Sequence, residues 1–303
     1  MLDVVIVGGG PAGLAASIYA RRARLQAVTL EREAAGGQIL KTYEIDNYPG
    51  MPGISGIELG EKLRQHADTL GCLIKCEDVK SIQALDTGFR VVTDAAEYEA
   101  ANVILATGAG PRRLGVPGEE ELGGAGVSYC ATCDGAFYKN SVVAVAGGGD
   151  VAVEDAIYLA RMAEKVYLIH RRDSLRAQQA LQDTLMSFDN VEVIWDSQIT
   201  SVNGVEDGEV SSVNLKNLKT QNESELAVDG IFVAIGNDPQ TSLVRELLET
   251  VEGGYIKTDE ECRTSCRGLY VCGDIRDKKL RQIVTAVSDG AVAVDSIVRN
   301  LKK

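Results

Sequence analysis

The sequence predicts an α/β protein made of two Rossmann-like, three-layer ββα nucleotide-binding domains, with one domain inserted into the other. Two short apolar runs each lead into a glycine triplet and a helical stretch, and the triplets begin 139 residues apart, at Gly8 and Gly147. Two further apolar runs end in turn residues, where we expect the chain to cross between domains. Repeated strand–loop–helix–strand units are typical of parallel sheets that bind nucleotides.

The first repeat begins with the β-branched run Val4 to Val7 and continues through Gly8, Gly10 and Gly13. In the G-x-G-x-x-G pattern the first glycine makes a tight turn, the second lets the backbone approach a pyrophosphate, and the third allows close helix–strand packing. The helix that follows offers free N–H groups to an anion. A second strand, Ala27 to Leu30, completes the unit.

The second repeat has the same design. The run Val143 to Ala146 leads into Gly147, Gly149 and Ala152, and a second strand follows at Val166 to Ile169. Alanine is small enough for the third position of the pattern. One such match is weak, because glycine turns between strands and helices are common, but two in the same context favour two dinucleotide sites.

The residue at the end of the second strand differs between the repeats. Glu31 lies 23 residues after the first glycine, and a carboxylate there accepts hydrogen bonds from ribose hydroxyls, which suits the adenosine half of FAD. The equivalent residue of the second repeat is His170, and arginines follow at Arg171, Arg172 and Arg176. Guanidinium groups bind a 2′-phosphate bidentately, so we predict NADP(H) rather than NAD(H) at the second site. The alternative is a solvated basic turn at a strand end.

Between the repeats lies the tetrad Cys130-Ala131-Thr132-Cys133, followed by Asp134. Two thiols separated by two residues can close and reopen a small disulfide ring, and a neighbouring acid can deliver protons. The tetrad lies just before the second glycine loop, which indicates electron transfer to or from a disulfide. We therefore predict that Cys130, Cys133 and Asp134 are catalytic.

A CxxC pair can also be half of a zinc site, which needs four ligands. The remaining candidate ligands are Cys72, Cys76, Cys262, Cys266, Cys272, His66 and His170. The spacings within these cysteine pairs are too wide for a zinc knuckle, so we expect no metal. We interpret the five cysteines as small buried residues and expect His66, in a polar helical stretch, at the surface.

Two segments are expected to carry the chain between the domains. The run Val103 to Leu105 ends at Ala106-Thr107-Gly108, and the run Ile231 to Ile235 ends at Gly236-Asn237-Asp238-Pro239. The predicted domains are a first part over residues 1–112, an inserted domain over 113–239 that holds the CxxC pair, and a second part over 240–303.

Composition argues against several other classes of protein. The formal net charge of −13 disfavours nucleic-acid binding, which requires a positive surface. Seven cysteines in 303 residues are too few for a disulfide-stapled secreted protein. The uncharged stretch Val4 to Ala20 is interrupted by glycines and a proline and is not expected to span a membrane. No leader is recognisable, so we expect a soluble, cytoplasmic protein with no membrane or nucleic-acid partner.

With these residues in view, the chain resembles the low-molecular-weight, bacterial-type NADPH-dependent thioredoxin reductases over essentially its whole length. The motifs in order are Gly8-Gly9-Gly10-Pro11-Ala12-Gly13, Gly36-Gly37-Gln38, Asp46-Asn47-Tyr48-Pro49-Gly50, Ala106-Thr107-Gly108, Cys130-Ala131-Thr132-Cys133-Asp134-Gly135, Gly147-Gly148-Gly149-Asp150, His170-Arg171-Arg172-Asp173, Gly273-Asp274 and Arg281-Gln282. The placement of the dithiol is the most specific, because larger disulfide reductases carry theirs near the N-terminus, in the flavin domain.

The resemblance implies FAD in the outer segments, NADPH in the inserted domain, thioredoxin as the protein partner, and a homodimer. The residues expected at FAD are Gly8, Gly10, Pro11, Ala12, Gly13, Glu31, Arg32, Gly36, Gly37, Gln38, Asn47, Thr107, Gly108, Gly273, Asp274, Arg281 and Gln282. Those expected at NADPH are Gly147, Gly149, Asp150, Val151, Ala152, His170, Arg171, Arg172, Arg176, Ile235 and Gly236.

The resemblance also implies roles for the dithiol. Cys133 faces the flavin, Cys130 attacks the disulfide of the protein substrate, and Asp134 acts as an acid. The dithiol and the nicotinamide need the same flavin face, although both belong to the inserted domain. We therefore expect that domain to rotate about the crossings near Arg112–Arg113 and Asn237–Asp238.

The chain departs from the family pattern at three places. Ile283 stands where many relatives have alanine, Asn237 replaces a common histidine, and Ala146 precedes the second triplet where valine is usual. A related group uses ferredoxin in place of NADPH and has lost nucleotide motifs that this chain keeps. A reductase with the same core and another donor or acceptor, such as ferredoxin or a glutaredoxin-like partner, stays an alternative, as does a non-catalytic flavin-binding redox sensor.

Overall fold

A computed structural model describes residues 1–42, 45 and 47–301 of the protein. Asp46, part of one motif quoted above, lies outside the described residues. The chain separates into two compact units. The outer unit comprises Met1–Gly110 and Asp238–Lys303, and the inner unit comprises Pro111–Asn237.

The secondary structure follows the predicted alternation of strands and helices. The strands are β1 (Leu2–Val7), β2 (Ala27–Glu31), β3 (Ile74–Cys76), β4 (Val79–Ala84), β5 (Phe89–Thr93), β6 (Glu97–Leu105), β7 (Ala109–Pro111), β8 (Val127–Ser128), β9 (Val142–Gly147), β10 (Lys165–Ile169), β11 (Val191–Ile194), β12 (Ser197–Asn203), β13 (Ser212–Asn217), β14 (Glu223–Ala227), β15 (Gly230–Ala234), β16 (Asn237–Pro239) and β17 (Leu269–Val271). The α-helices are α1 (Pro11–Arg22), α2 (Gly56–Thr69), α3 (Ala131–Asp134), α4 (Asp150–Ala160), α5 (Gln179–Met186) and α6 (Ile283–Leu301). Short 3-10 helices cover Gly37–Lys41, Gly135–Tyr138, Ser242–Val244 and Glu252–Gly254.

The described residues of the outer unit form a seven-stranded sheet in the order β3-β2-β1-β6-β5-β4, with β17 also paired to β6. Strand β1 pairs in parallel with β2 and β6, whereas β4, β5 and β6 form an antiparallel meander. The long strand β6 belongs to both parts, because its first residues pair with β5 and its last residues pair with β17. The parallel part brings the ends of β1, β6 and β17 to one edge, where parallel sheets bind ligands.

Side chains of β1 alternate between two apolar cores of the outer unit. Val5 and Val7 pack with Phe89 and other residues of the meander. On the opposite face Val4 and Ile6 pack with the small residues of α1 and α6. Each such side chain stabilises the fold by roughly 1.5–3 kcal/mol when it is fully buried. The sheet is therefore covered on both faces, which explains why the run Val4 to Val7 is continuously apolar.

The described residues of the inner unit repeat this design. They form a five-stranded parallel sheet in the order β11-β10-β9-β15-β8 and a separate three-stranded antiparallel sheet, β12-β13-β14. One core lies between the parallel sheet and α4, and contains Val143, Val145 and Phe232. The other contains Ala144 and Ile231 and the apolar side chains of the antiparallel sheet. The predicted fold class, with two ββα units of one design, is confirmed.

The two crossings predicted from turn residues run as the short strands β7 and β16, which pair with each other. No helix within the described part of the chain is long and apolar enough to cross a membrane.

Candidate active site

The dithiol lies in the inner unit, at the start of the single-turn helix α3. Cys130 is the residue that caps this helix and Cys133 lies in it, and the two are joined by a disulfide bond. The turn is held by backbone hydrogen bonds from the N–H groups of Cys133 and Asp134 to the carbonyl of Cys130. Both sulfur-bearing residues are half-buried. A pair bonded in this way can accept two electrons and open to two thiols.

Asp134 ends the same turn, and its carboxylate is held by a buried serine. The Ser128 hydroxyl lies 2.5 Å from Asp134 Oδ2 and accepts a hydrogen bond of 3.1 Å from the Cys130 N–H. Burial raises the pKa of Asp134, and the hydrogen bond from Ser128 opposes that rise. An acid with a raised pKa beside a dithiol is suited to donate a proton.

A second buried carboxylate anchors the segment that precedes the dithiol. Glu119 accepts hydrogen bonds from the N–H groups of Leu114 and Gly115, at 2.8 and 2.7 Å, and from the Tyr129 hydroxyl at 3.0 Å. Burial, together with the Glu119 carboxylate, raises the pKa of Tyr129 to about 12. The start of the inner unit is thus tied to the residue next to Cys130.

The outer glycine loop connects β1 to α1. Gly8 has a φ of +106°, and a Cβ atom there would collide with the Ala106 carbonyl, so only glycine fits this turn. Gly10 caps α1 with Pro11 as the first helical residue, which leaves the first N–H groups of the helix without intrahelical partners. A Cβ atom on Gly37 would lie 3.0 Å from the Gly10 Cα atom. Two glycine backbones therefore meet at the N-terminus of the helix.

Glu31 lies beneath this loop at the end of β2. Its carboxylate accepts hydrogen bonds from the Gly9 N–H at 2.6 Å and from the Glu33 N–H at 3.0 Å. Arg32 is exposed and lies 3.5 Å from the Glu33 carboxylate. Each oxygen of a carboxylate has two lone pairs, so the Glu31 carboxylate retains capacity for further donors.

Several other residues predicted at FAD are held by hydrogen bonds or turns of the outer unit. The Thr107 hydroxyl donates to the Gln240 carbonyl at 2.7 Å, and a Cβ atom on Gly108 would meet no atom within 4 Å. The Asn47 amide donates to the Gln282 side chain at 3.0 Å. Gly36 has a φ of +136° and precedes the 3-10 helix that holds Gln38.

Asp274 follows β17 and carries a buried oxygen without a hydrogen-bond partner among the described residues, Oδ1. Burial raises the pKa of Asp274, and the positive charges of Lys278 and Arg281 oppose that rise. The Arg281 guanidinium lies 3.8 Å from the centroid of the Tyr255 ring and donates to the Asp274 carbonyl. Arg281 therefore orders the loop that carries Asp274.

A buried cluster of charges holds Asp274 and Gly273 in place. Asp289, on α6, accepts hydrogen bonds from Arg276 at 2.5 Å, from Lys278 at 2.9 Å and from the Gly273 N–H at 3.0 Å. The Lys278 ammonium also lies 3.8 Å from the Asp274 carboxylate. Asp289 was not among the residues predicted from the sequence, because its partners lie in a different segment and α6 carries a second acid, Asp295.

These features of the outer unit fit an FAD molecule. Asp274 Oδ1, a buried acceptor with no hydrogen-bond partner among the described residues, offers a place for a ligand hydroxyl. A glycine loop at a helix N-terminus suits a pyrophosphate, and the open space at Gly108 admits a close ligand.

The inner glycine loop connects β9 to α4. A Cβ atom on Gly147 would lie 2.5 Å from both the Ala152 Cβ atom and the Ala234 carbonyl oxygen, so the loop packs tightly against its helix and strand. A Cβ atom on Gly149 would meet nothing within 4 Å, and Gly149 caps α4. The Asp150 carboxylate accepts a hydrogen bond of 2.8 Å from the Gln178 N–H. Val151, next in the helix, is exposed.

The basic segment of the inner unit divides into a buried histidine and exposed arginines. His170 is only 5% exposed, and its ring lies directly under Gly148. Its Nε2 atom is buried with no hydrogen-bond partner among the described residues. The side chains of Arg171, Arg172 and Arg176 are exposed, and the Arg176 N–H donates to the Gly148 carbonyl at 2.7 Å. Arg176 is therefore tied to the glycine loop, and the three exposed guanidinium groups suit a phosphorylated ribose.

Ile235 and Gly236 follow β15, at the same edge of the inner sheet as the glycine loop. Ile235 is partly exposed, and Gly236 has a φ of +112° and accepts a hydrogen bond from the Arg112 N–H at 2.9 Å.

Known protein families and proteins are similar to this chain over most of its length. The family model for pyridine nucleotide-disulphide oxidoreductases matches residues 2–290. The chain belongs to this family. Thioredoxin reductase from Listeria innocua is 47% identical over 96% of this chain and 91% of that protein. Thioredoxin reductase from Treponema pallidum is 46% identical over 96% of this chain and 94% of that protein.

The crystal structure of thioredoxin reductase from Streptococcus pyogenes is similar with a TM-score of 0.93 and 45% sequence identity, and covers 100% of this chain and 98% of that chain. The family resemblance stated from the motifs is confirmed by these relatives.

For this pyridine nucleotide-disulphide oxidoreductase, the other cysteines depart in part from the sequence interpretation. Cys262 and Cys272 are buried, and burial raises the pKa of Cys262 to about 12. Cys72 and Cys266 are half-buried, whereas Cys76 is exposed. The buried interpretation was wrong for Cys76 because it ends the short edge strand β3, where one side of the chain faces solvent. His66 is exposed, as predicted.

Within the part of the chain that the structure describes, no group of three or more His, Cys, Asp or Glu side chains is arranged to hold a metal ion.

Proposed function

We propose that this chain is a flavoprotein disulfide reductase that passes electrons from NADPH, through FAD and the Cys130–Cys133 disulfide, to oxidised thioredoxin. The observation that carries the proposal is the disulfide beside Asp134 in a unit that also contains a dinucleotide loop. Thioredoxin as the acceptor is supported by the names of the relatives above. The alternative donors and acceptors with the same core are not favoured by those names.

The outer unit is proposed to hold FAD. When bound, FAD supplies a two-electron carrier between a nicotinamide and a disulfide. The loop from Gly8 to Gly13 and the N-terminus of α1 would bind its pyrophosphate, and Glu31 would accept from the adenosine ribose. Asp274 would accept a hydrogen bond at its buried Oδ1 atom. The domain boundaries proposed at 112/113 and 239/240 lie two residues from the limits of the compact units, 110/111 and 237/238.

The inner unit is proposed to bind NADPH. The loop from Gly147 to Gly149 would approach the pyrophosphate, since Gly149 has open space where a side chain would stand. The exposed guanidinium groups of Arg171, Arg172 and Arg176 would bind the 2′-phosphate. His170 would support the loop from below, because its ring lies against Gly148.

The dithiol and Asp134 would then carry out thiol–disulfide exchange with the protein substrate. Opening the Cys130–Cys133 bond takes two electrons and two protons and yields two thiols. The Cys130 thiolate then attacks the disulfide of the protein substrate, one substrate thiolate leaves, and Cys133 displaces the second as the internal disulfide forms again. Asp134 would donate a proton to a departing thiolate when it is protonated, and its raised pKa supports that role.

The homodimer, the cytoplasmic location and the rotation of the inner unit stay predictions of the sequence argument. Size-exclusion chromatography with light scattering measures the first of these directly.

An anaerobic reduction experiment tests the proposed function. NADPH, NADH and reduced ferredoxin are added separately to the purified protein, and the visible absorbance of the flavin is followed. Rapid bleaching by NADPH, followed by reduction of added thioredoxin, is the expected result. Bleaching only by ferredoxin would establish the alternative donor, and a preparation without flavin would refute the proposal.

The Cys130→Ser variant separates flavin reduction from disulfide reduction. We expect this variant to be bleached by NADPH but to leave oxidised thioredoxin unreduced, because the attacking sulfur is absent. Continued turnover with thioredoxin would contradict the role of the dithiol. Cys76→Ser, at an exposed cysteine of the outer unit, is the matched control and should retain turnover.

A further inference from the structure

The Ser128 hydroxyl lies at the centre of the dithiol turn and contacts both of its ends. We infer that Ser128 is a positioning residue that holds Asp134 against the dithiol in both protonation states of the acid. The inference rests on the proposed function, because it concerns the proton that accompanies opening of the Cys130–Cys133 disulfide. The relevant contacts are those of Ser128 Oγ with Asp134 Oδ2, the Cys130 N–H and the Cys130 carbonyl.

With Asp134 ionised, the serine bridges the turn in one direction. Its hydroxyl donates to Asp134 Oδ2, which lies 2.5 Å away, and its oxygen accepts from the Cys130 N–H at 3.1 Å. An ionised carboxylate only accepts hydrogen bonds, so the serine proton has to point toward it. Hydrogen bonds to a charged acceptor are stronger than neutral ones, and this one fixes the carboxylate beside Cys130.

With Asp134 protonated, the same atoms can remain in place with the protons rearranged. The carboxylic acid now donates to Ser128 Oγ, whose two lone pairs also accept the Cys130 N–H. The serine proton turns to the Cys130 carbonyl, which lies 3.4 Å from Oγ. A hydroxyl can serve both states because it is donor and acceptor at once, whereas a side-chain methyl group can serve neither.

Solvent has little access to this contact. Ser128 is 5% exposed and lies on β8, where it pairs with Phe232 of β15. The residue that follows Cys130, Ala131, is fully buried and packs in the core beneath α4. A paired strand on one side and a buried turn on the other therefore set the position of the hydroxyl, which fixes the Asp134 carboxylate relative to the Cys130 backbone.

The acidic and phenolic groups around Asp134 have to be separated in any pH experiment. The turn α3 packs against α4 and the 3-10 helix Gly135–Tyr138. The titratable side chains of these elements are Asp150, Glu154, Asp155, Tyr158 and Tyr138. Burial, and then the Glu154 charge, raises the pKa of Asp155 to about 7. Asp155 is therefore the group most able to imitate a titration of Asp134, along with the two thiols of the reduced dithiol.

A double-mutant cycle tests the inference. Ser128→Ala is compared with the wild type, and again in a protein that carries Asp134→Asn, with kcat/KM for thioredoxin as the readout. We expect Ser128→Ala alone to lower kcat/KM by roughly 10- to 100-fold, as small displacements of a catalytic group do. In the Asp134→Asn protein, Ser128→Ala should lower kcat/KM by less than about a further twofold, because a positioning residue has no effect once its acid is gone. An equal loss in both backgrounds would overturn the inference.

The pH profile adds a readout that a merely structural role would not move. Removing the Ser128 donor takes away the hydrogen bond that favours the ionised carboxylate. The alkaline limb of kcat/KM should therefore shift to higher pH in Ser128→Ala and should not shift further in a protein that also carries Asp155→Asn. If Asp155→Asn alone shifts the alkaline limb of kcat/KM, the assignment of that limb to Asp134 is contradicted.

Two further variants and one spectroscopic measurement guard against misfolding. Ser128→Thr retains the hydroxyl and should recover most of the wild-type kcat/KM, whereas a loss equal to that of Ser128→Ala would show that the strand and not the hydroxyl matters. Ser187→Ala removes an exposed hydroxyl that bonds locally, to the Thr184 carbonyl at 2.6 Å, and serves as the matched control.

Infrared difference spectra of the wild-type protein, with Asp134→Asn as the reference, should show a hydrogen-bonded carboxylic acid at low pH. A free carboxylic acid there would overturn the inference without any Ser128 variant.

Failure of this inference is distinguishable from failure of the proposed function. If the wild type does not reduce thioredoxin with NADPH, the proposed function fails, and the infrared measurement still decides the Ser128 contact. If the wild type turns over and the cycle shows no coupling, only the inference about Ser128 fails.

Discussion

Removal of the negative charge of Asp289 is the most demanding test of how the outer unit is built. Asp289 receives the Arg276 guanidinium, the Lys278 ammonium and the Gly273 N–H, and the side chains of Arg276, Asp289 and Lys278 are only 12%, 12% and 13% exposed. The substitution Asp289→Asn preserves the shape of the side chain but removes the counter-charge of the buried Arg276, and leaves Lys278 paired with the Asp274 carboxylate at 3.8 Å. The same change should loosen Gly273 and Asp274, which we propose to contact FAD.

The expected magnitude follows from the burial of the cluster. Removing one partner of a buried ion pair costs about 3–5 kcal/mol of folding free energy, because the remaining charge stays desolvated. In a protein of this size each kcal/mol lowers the unfolding midpoint by about 2–4 °C, so Asp289→Asn should lower it by roughly 6–20 °C. Asp295→Asn, on the same helix, is the matched control. Its pair with Arg299 is exposed, at 55% and 68%, and should contribute at most about 0.5 kcal/mol.

Thermal unfolding followed by circular dichroism measures the midpoint, and the rise of flavin fluorescence on release measures retention of FAD in the same samples. We expect Asp289→Asn to release FAD at a temperature well below that at which the wild type releases it. The unfolding midpoint of Asp295→Asn should lie within about 2 °C of the wild-type midpoint. If the two variants unfold at the same temperature, the cluster does not stabilise the outer unit as reasoned.

Three further predictions concern the inner unit. Arg171→Ala combined with Arg172→Ala should raise KM for NADPH by at least about 100-fold, since each charged hydrogen bond contributes about 1.5–3 kcal/mol. The same change should alter KM for NADH little, and equal changes for the two nucleotides would refute the 2′-phosphate assignment. Gly149→Ala should leave the unfolding midpoint unchanged and weaken NADPH binding, because its methyl group enters open space. Gly148→Ala should lower both the unfolding midpoint and the affinity for NADPH; thermal melting measures the first and calorimetric titration the second. Asp155→Asn should stabilise the protein at pH 8 and not at pH 4. The pKa of Asp155 rises from 3.8 to about 7 on folding, so the stabilisation from its neutral form is complete below pH 4 and is lost as pH rises through 7. The difference reaches at most about 4 kcal/mol, and equal midpoints of variant and wild type at pH 8 would contradict it.

The parallel framework was predictable from the sequence because its signal is local. The runs that became β1 and β9 are apolar throughout, since both faces of each sheet are covered, and each is followed by a glycine that only a tight turn requires. The strand-end residues Glu31 and His170 were also predictable, because their spacing from the glycine is set by the length of one helix and two turns.

The remaining parts of the site depend on contacts between distant segments. Asp289 reaches Arg276 and Lys278 only because α6 packs against the loop after β17, and nothing in either segment alone indicates the pairing. Ser128 lies two residues before Cys130, but an ordinary strand serine has the same local pattern. The exposure of Cys76 depends on β3 being an edge strand, which is a property of the sheet order and not of the tripeptide.

The two repeats show how one scaffold is adapted to two nucleotides at a single contact. Glu31 and His170 lie at equivalent positions, and each contacts the middle glycine of its own triplet from below: the Glu31 carboxylate accepts from the Gly9 N–H, and the His170 ring lies against Gly148. A carboxylate at that point repels a ribose phosphate, whereas a buried imidazole leaves the positive charge of the arginines that follow it unopposed. Each loop turns through a positive-φ glycine and ends in a glycine that caps the next helix, so the strand-end residue and its neighbours carry the discrimination. The proposed preference for NADPH is therefore a property of a few exposed side chains after β10, and these can be changed without altering the fold that presents them.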